Sequence, residues 1–193
     1  MKVVALCGSP RKDGSTAKLV NKFADEAKAA GAEVLSFHLN DLKFSGCQSC
    51  VPACKKAMDH CRLEDDLTPV LNAVAAADIL VMGAPVYMGD IASQAKAFVD
   101  RTFSFFKPDF KTNPNPSRLQ GGKALVLVLT QGAPVEQAFK DVVDRYSAVL
   151  SRSCGLKEVH VVRGLGLPPV GDAGEALAPA LAQISEVAAK VLK

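Results

Sequence analysis

Three continuous apolar runs constrain the fold of this chain more than any other feature of its sequence. They are VVALC at 3–7, DILVMG at 78–83 and ALVLVLT at 124–130. All three are rich in β-branched residues and are flanked by glycine or proline. Such runs are typical of parallel strands that are covered on both faces.

Two weaker runs and five helical segments complete the pattern. AEVLSFHL at 32–39 and EVHVVRG at 158–164 have the character of outer strands, which gives five strands. The helical segments lie between and after them, at 15–31, 67–78, 91–106, 135–155 and 174–193. Strands that alternate with helices imply right-handed crossovers. The sequence therefore predicts a three-layer α/β domain with a five-stranded parallel sheet.

The helix boundaries are marked by specific residues. Ser15 or Thr16 is the expected N-cap of the first helix, and Gly31 is its expected end. Pro179 lies inside the last helical segment. A proline is tolerated only in the first turn or at a kink, so we expect that helix to begin close to it.

Composition narrows the class of protein. The chain has 193 residues, of which 49% are hydrophobic and 22% charged, and its net charge is +3. These values predict one folded domain over 1–193 and give no basis for nucleic-acid binding. No window approaches eighteen apolar residues, and the N-terminal apolar stretch is too short for a secretory signal. We expect a cytoplasmic protein without a membrane segment, whose cysteines are reduced or bind metal.

The loop after the first strand, GSPRKDGST at 8–16, has the residues of an anion-binding site. It offers the N-terminus of a helix, the hydroxyls of Ser9, Ser15 and Thr16, the flexible Gly8 and Gly14, and the cation of Arg11. Its spacing matches neither a Walker A loop nor a dinucleotide-binding G-x-G-x-x-G. The alternative is an ordinary βα turn whose serines and glycines serve only the backbone.

Three separated motifs carry a family resemblance. GSPRKDGST at 8–16, APVYMGDIASQAKAFVDR at 84–101 and TQG at 130–132 each follow a predicted strand. In that order they resemble the FMN-binding loops of the flavodoxin-like NAD(P)H-dependent FMN reductases, and the resemblance covers nearly the whole chain. It implies a flavodoxin-like sheet with strand order 2-1-3-4-5 and a bound FMN.

The resemblance also implies which residues bind the cofactor. The phosphate would be held by Ser9, Arg11, Gly14, Ser15 and Thr16. The isoalloxazine ring would rest on Pro85, Val86, Tyr87, Met88 and Gly89, with Thr130, Gln131 and Gly132 at its other edge. Tyr87 has the alternative role of an aromatic that merely covers the end of the sheet. Asp90 departs from the residue types common in the family, and the sequence assigns it no role.

The predicted chemistry requires no catalytic side chain. A flavin carries the redox step itself. The histidines, His38, His60 and His160, are scattered along the chain and form no recognisable catalytic set. We therefore predict a cofactor site without a catalytic residue of the protein.

A cysteine-rich insertion at 44–64 follows the second strand. Cys47, Cys50, Cys54 and Cys61 have the spacing C-x2-C-x3-C-x6-C. Four thiolates in one loop can surround a tetrahedral metal or an iron-sulfur cubane. The stretch resembles the iron-sulfur flavoprotein branch of the same family, which implies a [4Fe-4S] cluster beside FMN. That branch usually has two residues between the second and third cysteines, whereas this chain has three. The sequence therefore leaves three alternatives: a cluster, a zinc ion, or thiols that are reduced or partly disulfide-linked.

These features predict an FMN-dependent oxidoreductase. Electrons would pass from NAD(P)H or a protein donor through FMN, and through a [4Fe-4S] cluster if one is held, to an acceptor. The alternative is a non-catalytic flavin electron-transfer protein that is reduced by a partner such as ferredoxin. The resemblance also implies a homodimer or homotetramer, for which the Phe-rich stretch before the long loop at 107–122 is a candidate contact.

Overall fold

A sheet of five long parallel strands lies at the centre of the computed structural model, which describes residues 1–119 and 123–193. The strands are β1 (Lys2–Cys7), β2 (Glu33–His38), β3 (Ile79–Tyr87), the two-residue β4 (Asp90–Ile91), β5 (Lys123–Thr130) and β6 (Leu156–Gly164). The order is β2-β1-β3-β5-β6, with every pairing parallel. This confirms the predicted flavodoxin-like arrangement. The sixth strand, β4, pairs antiparallel with the end of β3 and was not predicted.

Helices cover both faces of the sheet. They are α1 (Ser15–Ala29), α2 (Leu67–Ala76), α3 (Ser93–Arg101), α4 (Lys140–Cys154) and α5 (Ala178–Val191). On one face, Phe23 of α1 and Ile184 of α5 are fully buried in one apolar cluster. On the other face, Leu71, Phe98 and Leu150 of α2, α3 and α4 belong to a second cluster. The sheet and the helices on its two faces therefore form the three layers that the sequence predicts.

The start of α1 differs from the prediction. Its N-cap is Gly14, and no side chain caps the first turn, so the predicted capping by Ser15 or Thr16 is wrong. The hydroxyl of Thr16 lies 2.7 Å from the hydroxyl of Thr130 instead. The end of α1 is as predicted, because Gly31 has a φ of 82° and follows the last turn.

Two further helices begin later than their sequence pattern suggests. α4 begins at Lys140 rather than at 135, because Phe139 has a φ of 62° and interrupts the helical backbone. The predicted helix at 174–193 is a 3-10 turn, Gly174–Leu177, followed by α5. Pro179 then lies in the first turn of α5, where it removes no helical hydrogen bond.

The carboxyl ends of β1, β3, β5 and β6 meet at one edge of the sheet. Cys7 pairs with Gly83, Pro85 with Thr130, and Thr130 with Gly164. Ligands of open α/β sheets bind at this edge. The register therefore brings the loops after these four strands together.

The long loop after α3 packs back on itself. Residues Thr102–Phe105 form a 3-10 turn that ends the predicted helix at 91–106. Beyond it, the Lys107 N–H donates to the Pro116 carbonyl at 2.8 Å. Residues 120–122 of the predicted loop lie outside the described residues.

The described helices are all too short to cross a bilayer. The longest, α1 and α4, have 15 residues each, and none has the length and apolar character of a membrane span.

Candidate functional site

One pocket lies between the loops that follow β1, β3, β5 and β6. We call it the strand-end pocket. Eight of its lining residues are among the predicted FMN ligands: Arg11, Ser15, Pro85, Val86, Tyr87, Thr130, Gln131 and Gly132. Three more, Leu167, Pro168 and Pro169, come from the loop after β6. Sequence reasoning missed this fourth loop, although the rule that ligands bind at strand ends pointed to it.

The strand-end pocket is suited to an anion where it meets α1. No side chain caps the first turn of α1, so its backbone N–H groups and the positive end of the helix dipole are available. Ser9 is buried, and its hydroxyl accepts the Arg11 N–H at 3.1 Å. Arg11 reaches across the pocket and donates from Nη1 to the Pro169 carbonyl at 2.8 Å. A cation therefore stands beside the helix N-terminus.

Thr16 and Thr130 join two of the pocket's walls. Both side chains are buried, with exposed fractions of 2% and 5%, and their hydroxyl oxygens are 2.7 Å apart. Thr16 does not line the pocket, so it acts through Thr130 rather than by facing the cleft.

The loop after β3 is a tight hairpin that leads into β4. Met88 and Gly89 have φ values of 48° and 84°, the positive values that two-residue hairpin turns require. Met88 is fully exposed, and neither turn residue lines the strand-end pocket. Of the five predicted ring contacts, Pro85, Val86 and Tyr87 line the pocket. Met88 and Gly89 form the outer tip of the hairpin.

Asp90 anchors this hairpin to α4. The Tyr146 hydroxyl and the Ile91 N–H each donate to Asp90 Oδ1 at 2.7 Å. Arg145 adds an ion pair at 3.5 Å. Burial alone would raise the pKa of Asp90, but the hydrogen bonds from Tyr146 and Ile91 and the charge of Arg145 lower it. The residue left without a role by the sequence is thus a structural anchor.

Gln131 ties the loop after β5 to the loop after β6. Its buried side chain donates to the Ala133 carbonyl at 3.0 Å and accepts a hydrogen bond from Arg163. Its carbonyl accepts the Leu167 N–H at 3.0 Å. These bonds fix the wall of the pocket opposite α1.

The residues of the strand-end pocket fit FMN. The uncapped helix N-terminus and Arg11 suit a phosphate. Pro85, Val86 and Leu167 give an apolar wall, and Tyr87 adds an aromatic side chain that is 44% exposed. An apolar wall with one polar end is what a flat ring carrying a phosphate requires.

The four predicted cysteine ligands surround a second, smaller cavity, here called the cysteine pocket. Its lining is Cys47, Gln48, Cys50, Cys54, Cys61, Leu63, Arg101, Phe103 and Ser104. None of the four cysteines forms a disulfide. Cys54 is buried, Cys50 and Cys61 are half-buried, and Cys47 is exposed.

The extra residue between the second and third cysteines is taken up in a helical turn. Residues Ala53–Ala57 form a π-helical turn, in which the Met58 N–H donates to the Ala53 carbonyl at 2.9 Å. Its wide bond spans residues 53–58, whereas Cys50 and Cys54 are joined by an α-type bond in which the Cys54 N–H donates to the Cys50 carbonyl at 3.2 Å. The spacing thus keeps Cys54 on the same cavity as Cys50.

The cysteine pocket contains the donors of a metal centre but does not close around a metal ion. Across residues 1–119 and 123–193, no group of three or more Cys, His, Asp or Glu side chains is arranged to hold a metal ion. The cavity volume is about 10 Å³, roughly the space that one water needs. Four thiols around one cavity fit a four-cysteine centre in kind and number.

Arg101 is the residue of this region that sequence reasoning missed. It is fully buried, and its Nε donates to Cys61 Sγ at 3.0 Å. Its Nη1 donates to Asp65 Oδ2 at 2.7 Å. Burial would lower the pKa of Arg101, but the bonds to Asp65 and Cys61 raise it. The sequence signal for its burial was its position three residues after Phe98, because residues three apart lie on the same face of a helix.

Comparisons with known proteins agree on one family. The family model described as NADPH-dependent FMN reductase matches residues 1–151. An iron-sulfur flavoprotein of Archaeoglobus fulgidus is 27% identical over 176 residues, which is 91% of this chain and 73% of that protein. An iron-sulfur flavoprotein of Methanocaldococcus jannaschii is 31% identical over 144 residues, 75% of this chain and 70% of that protein. A third, from Methanosarcina thermophila, is 32% identical over 110 residues, and the match spans only 56% of its length.

Solved structures show the same fold. An azoreductase from Bacillus anthracis superposes with a TM-score of 0.72 at 21% identity, covering 98% of this chain and 99% of that one. An NAD(P)H:quinone oxidoreductase from Methanothermobacter marburgensis gives a TM-score of 0.73 at 17% identity, covering 97% and 94%. At these identities the likeness concerns the fold.

Proposed function

Given that the chain belongs to the NADPH-dependent FMN reductase family, we propose that it oxidises NAD(P)H at an FMN held in the strand-end pocket and passes the electrons to a further acceptor. The observation that carries this proposal is the convergence of four strand-end loops on one pocket, with eight predicted FMN ligands in its lining. When bound, FMN supplies the hydride-accepting chemistry.

The chain's own residues bind and orient the cofactor. The first turn of α1 and Arg11 hold the phosphate by backbone N–H groups and charge. The apolar side chains of Pro85, Val86 and Leu167 would exclude water from the ring. Asp90 and Tyr146 keep the hairpin with Tyr87 at a fixed distance from α4.

The experiment is an anaerobic titration of FMN-loaded protein. Addition of NADH or NADPH should bleach the flavin absorbance, because each nicotinamide delivers two electrons and one proton to the ring. Apo-protein that binds no added FMN would contradict the proposal.

The cysteine pocket supports a second redox centre. We propose that Cys47, Cys50, Cys54 and Cys61 hold a [4Fe-4S] cluster that receives electrons from FMN. Two observations support it: the four thiols line one cavity, and the relatives named above are iron-sulfur flavoproteins. Anaerobic reconstitution with iron and sulfide, followed by metal analysis, should give four irons per wild-type chain.

Variants of the same loop sharpen that test. Cys50→Ser should lose the iron while FMN binding is retained, because Cys50 does not line the strand-end pocket. Val51→Ala, at the neighbouring exposed position, is the matched control and should load normally. Equal iron contents in wild type and Cys50→Ser would contradict the assignment.

A non-catalytic electron carrier is the second candidate function. It needs the same FMN site and no catalytic side chain, and none of the described residues that line the strand-end pocket is His, Asp or Glu. In that case a ferredoxin-like donor, and neither nicotinamide, would reduce the bound FMN.

We also propose a homodimer that uses the Phe-rich stretch after α3. Phe103, Phe106 and Phe110 pack their rings together, with centroids 5.2 to 6.0 Å apart, and all three are only half-buried. Sedimentation equilibrium should give twice the chain mass, and a monomer at micromolar concentration would contradict it.

A further inference from the structure

The guanidinium of Arg101 makes a positive charge part of the wall of the cysteine pocket. Its side chain is fully buried, and it donates to Cys61 Sγ, to Asp65 and to the carbonyls of Ser45 and Leu63. An arginine is always protonated in proteins. A unit charge is therefore fixed 3.0 Å from a cysteine sulfur.

A second buried cation, Lys55, lies next to the cysteines. Lys55 follows Cys54 and is only 5% exposed. Its Nζ donates to the carbonyls of Phe103 and Phe106 and lies 4.0 Å from the centroid of the Phe103 ring. Within the described residues it makes no ion pair with a carboxylate. Burial lowers the pKa of Lys55, and the neighbouring Cys54 opposes that shift.

The side chains around the cysteine pocket carry a net positive charge when the cysteines are neutral. Arg101 and Lys55 contribute two buried positive charges, and Asp65 contributes one negative charge. The half-buried Arg118 adds a third positive charge, since its Nη1 donates to the Cys54 carbonyl at 3.2 Å. No carboxylate lines the pocket among the residues that the structure describes. A buried cation without a counter-charge is costly. A centre held by cysteine thiolates would be anionic and would supply the missing negative charge.

We propose that Arg101 and Lys55 raise the reduction potential of the centre held by the four cysteines, with Asp65 positioning Arg101 and partly offsetting its charge. This inference rests on the proposed four-cysteine cluster. One-electron reduction by a donor such as dithionite adds one negative charge, and no bond breaks. Positive charge and an N–H donor to a ligating sulfur favour the reduced form.

The structure provides matched variants for a potentiometric test. Lys55→Met removes the buried charge, whereas Lys56→Met removes the charge of the exposed neighbour. Lys55→Arg keeps the charge. Asp65→Asn removes the negative charge while its side-chain oxygen can still accept a hydrogen bond from Arg101.

The expected result is a pair of shifts in opposite directions. Lys55→Met should lower the equilibrium constant for cluster reduction about tenfold, which is a shift of about 59 mV to more negative potential for one electron. Asp65→Asn should shift the potential to more positive values. The reduction potentials of Lys56→Met and Lys55→Arg should differ from that of wild type by only a small fraction of that shift.

Other outcomes overturn the inference. Equal potentials in wild type and Lys55→Met, or a shift of the same sign in Lys55→Met and Asp65→Asn, would show that the buried charges only support the fold. Iron content and thermal unfolding, measured on each variant, show that the loaded and folded proteins are compared. Wild type that binds FMN but takes up no iron would overturn this inference and the cluster, while leaving the FMN-dependent function intact.

Discussion

The hydroxyl oxygens of Thr16 and Thr130 lie 2.7 Å apart and join the first turn of α1 to the last residue of β5. Both hydroxyls are buried, so each satisfies the other away from water. This bond fixes the separation of the two walls that would hold the phosphate and the ring edge of FMN.

The stability losses from replacing Thr16 and Thr130 should not be additive. Thr16→Val leaves the Thr130 hydroxyl unsatisfied, which costs about 1 to 3 kcal/mol of unfolding free energy. The double variant with Thr130→Val removes both polar groups and should cost less than the sum of the single changes. Urea unfolding of the four proteins measures this coupling, and additive losses would contradict it.

Arg11 should contribute strongly to FMN affinity. Arg11→Met removes the cation beside the N-terminus of α1, and the loss of a charged hydrogen-bonding group should raise the FMN dissociation constant about tenfold or more. Lys12→Met is the matched control, because Lys12 pairs instead with Asp41 at 2.7 Å on the surface. Quenching of flavin fluorescence gives both constants, and equal losses in the two variants would refute the assignment.

The Asp90–Tyr146 contact should make stability depend on acid pH. The pKa of Asp90 is lowered in the folded protein, so its contribution is present above the unfolded value near 3.9. It is lost as pH falls through the folded pKa. Tyr146→Phe should therefore be less stable than wild type near neutral pH, and the gap should narrow below about pH 4.

Tyr87→Phe is the control for that experiment, since the two tyrosines of the chain are Tyr87 and Tyr146 and Tyr87 is 44% exposed. Its stability should follow wild type at every pH. A gap between wild type and Tyr146→Phe that is constant with pH would contradict the role given to Asp90.

Asp65 should be more important for stability than its neighbour Asp66. Asp65→Asn leaves the fully buried Arg101 without its charged partner, and breaking a buried ion pair costs about 3 to 5 kcal/mol. Asp66→Asn changes an exposed side chain and should cost less than about 1 kcal/mol. Thermal unfolding at pH 7 compares them, and similar losses would mean that Arg101 is satisfied by the carbonyls alone.

The sheet and most of the strand-end pocket could be predicted because their signals are local. Apolar runs specify buried strands, and the parallel order brings their carboxyl ends together. The start of α4 could not be predicted from such a local signal. Its helical pattern extends back to 135, but Phe139 adopts a positive φ, and the preceding loop is held by bonds from Arg163 to Gln131 and the Ala138 carbonyl.

The features that sequence reasoning missed depend on long-range contacts. Arg101 is buried only because residues of the cysteine insertion, such as Ser45 and Leu63, fold over the end of α3. The π-helical turn that contains Cys54 is likewise a product of packing. Apart from the spacing of Arg101 from Phe98, neither has a sequence signature of its own, and the loop with Leu167 has no motif beyond its position after a strand.

Whether the strand-end pocket holds an FMN that a nicotinamide reduces is decided by the anaerobic absorbance spectrum of FMN-loaded protein, recorded before and after one equivalent of NADH or NADPH. We expect one FMN per chain in wild type and loss of the oxidised-flavin absorbance with at least one of the two nicotinamides. Protein that binds no FMN, or whose bound FMN stays oxidised with both, would contradict it.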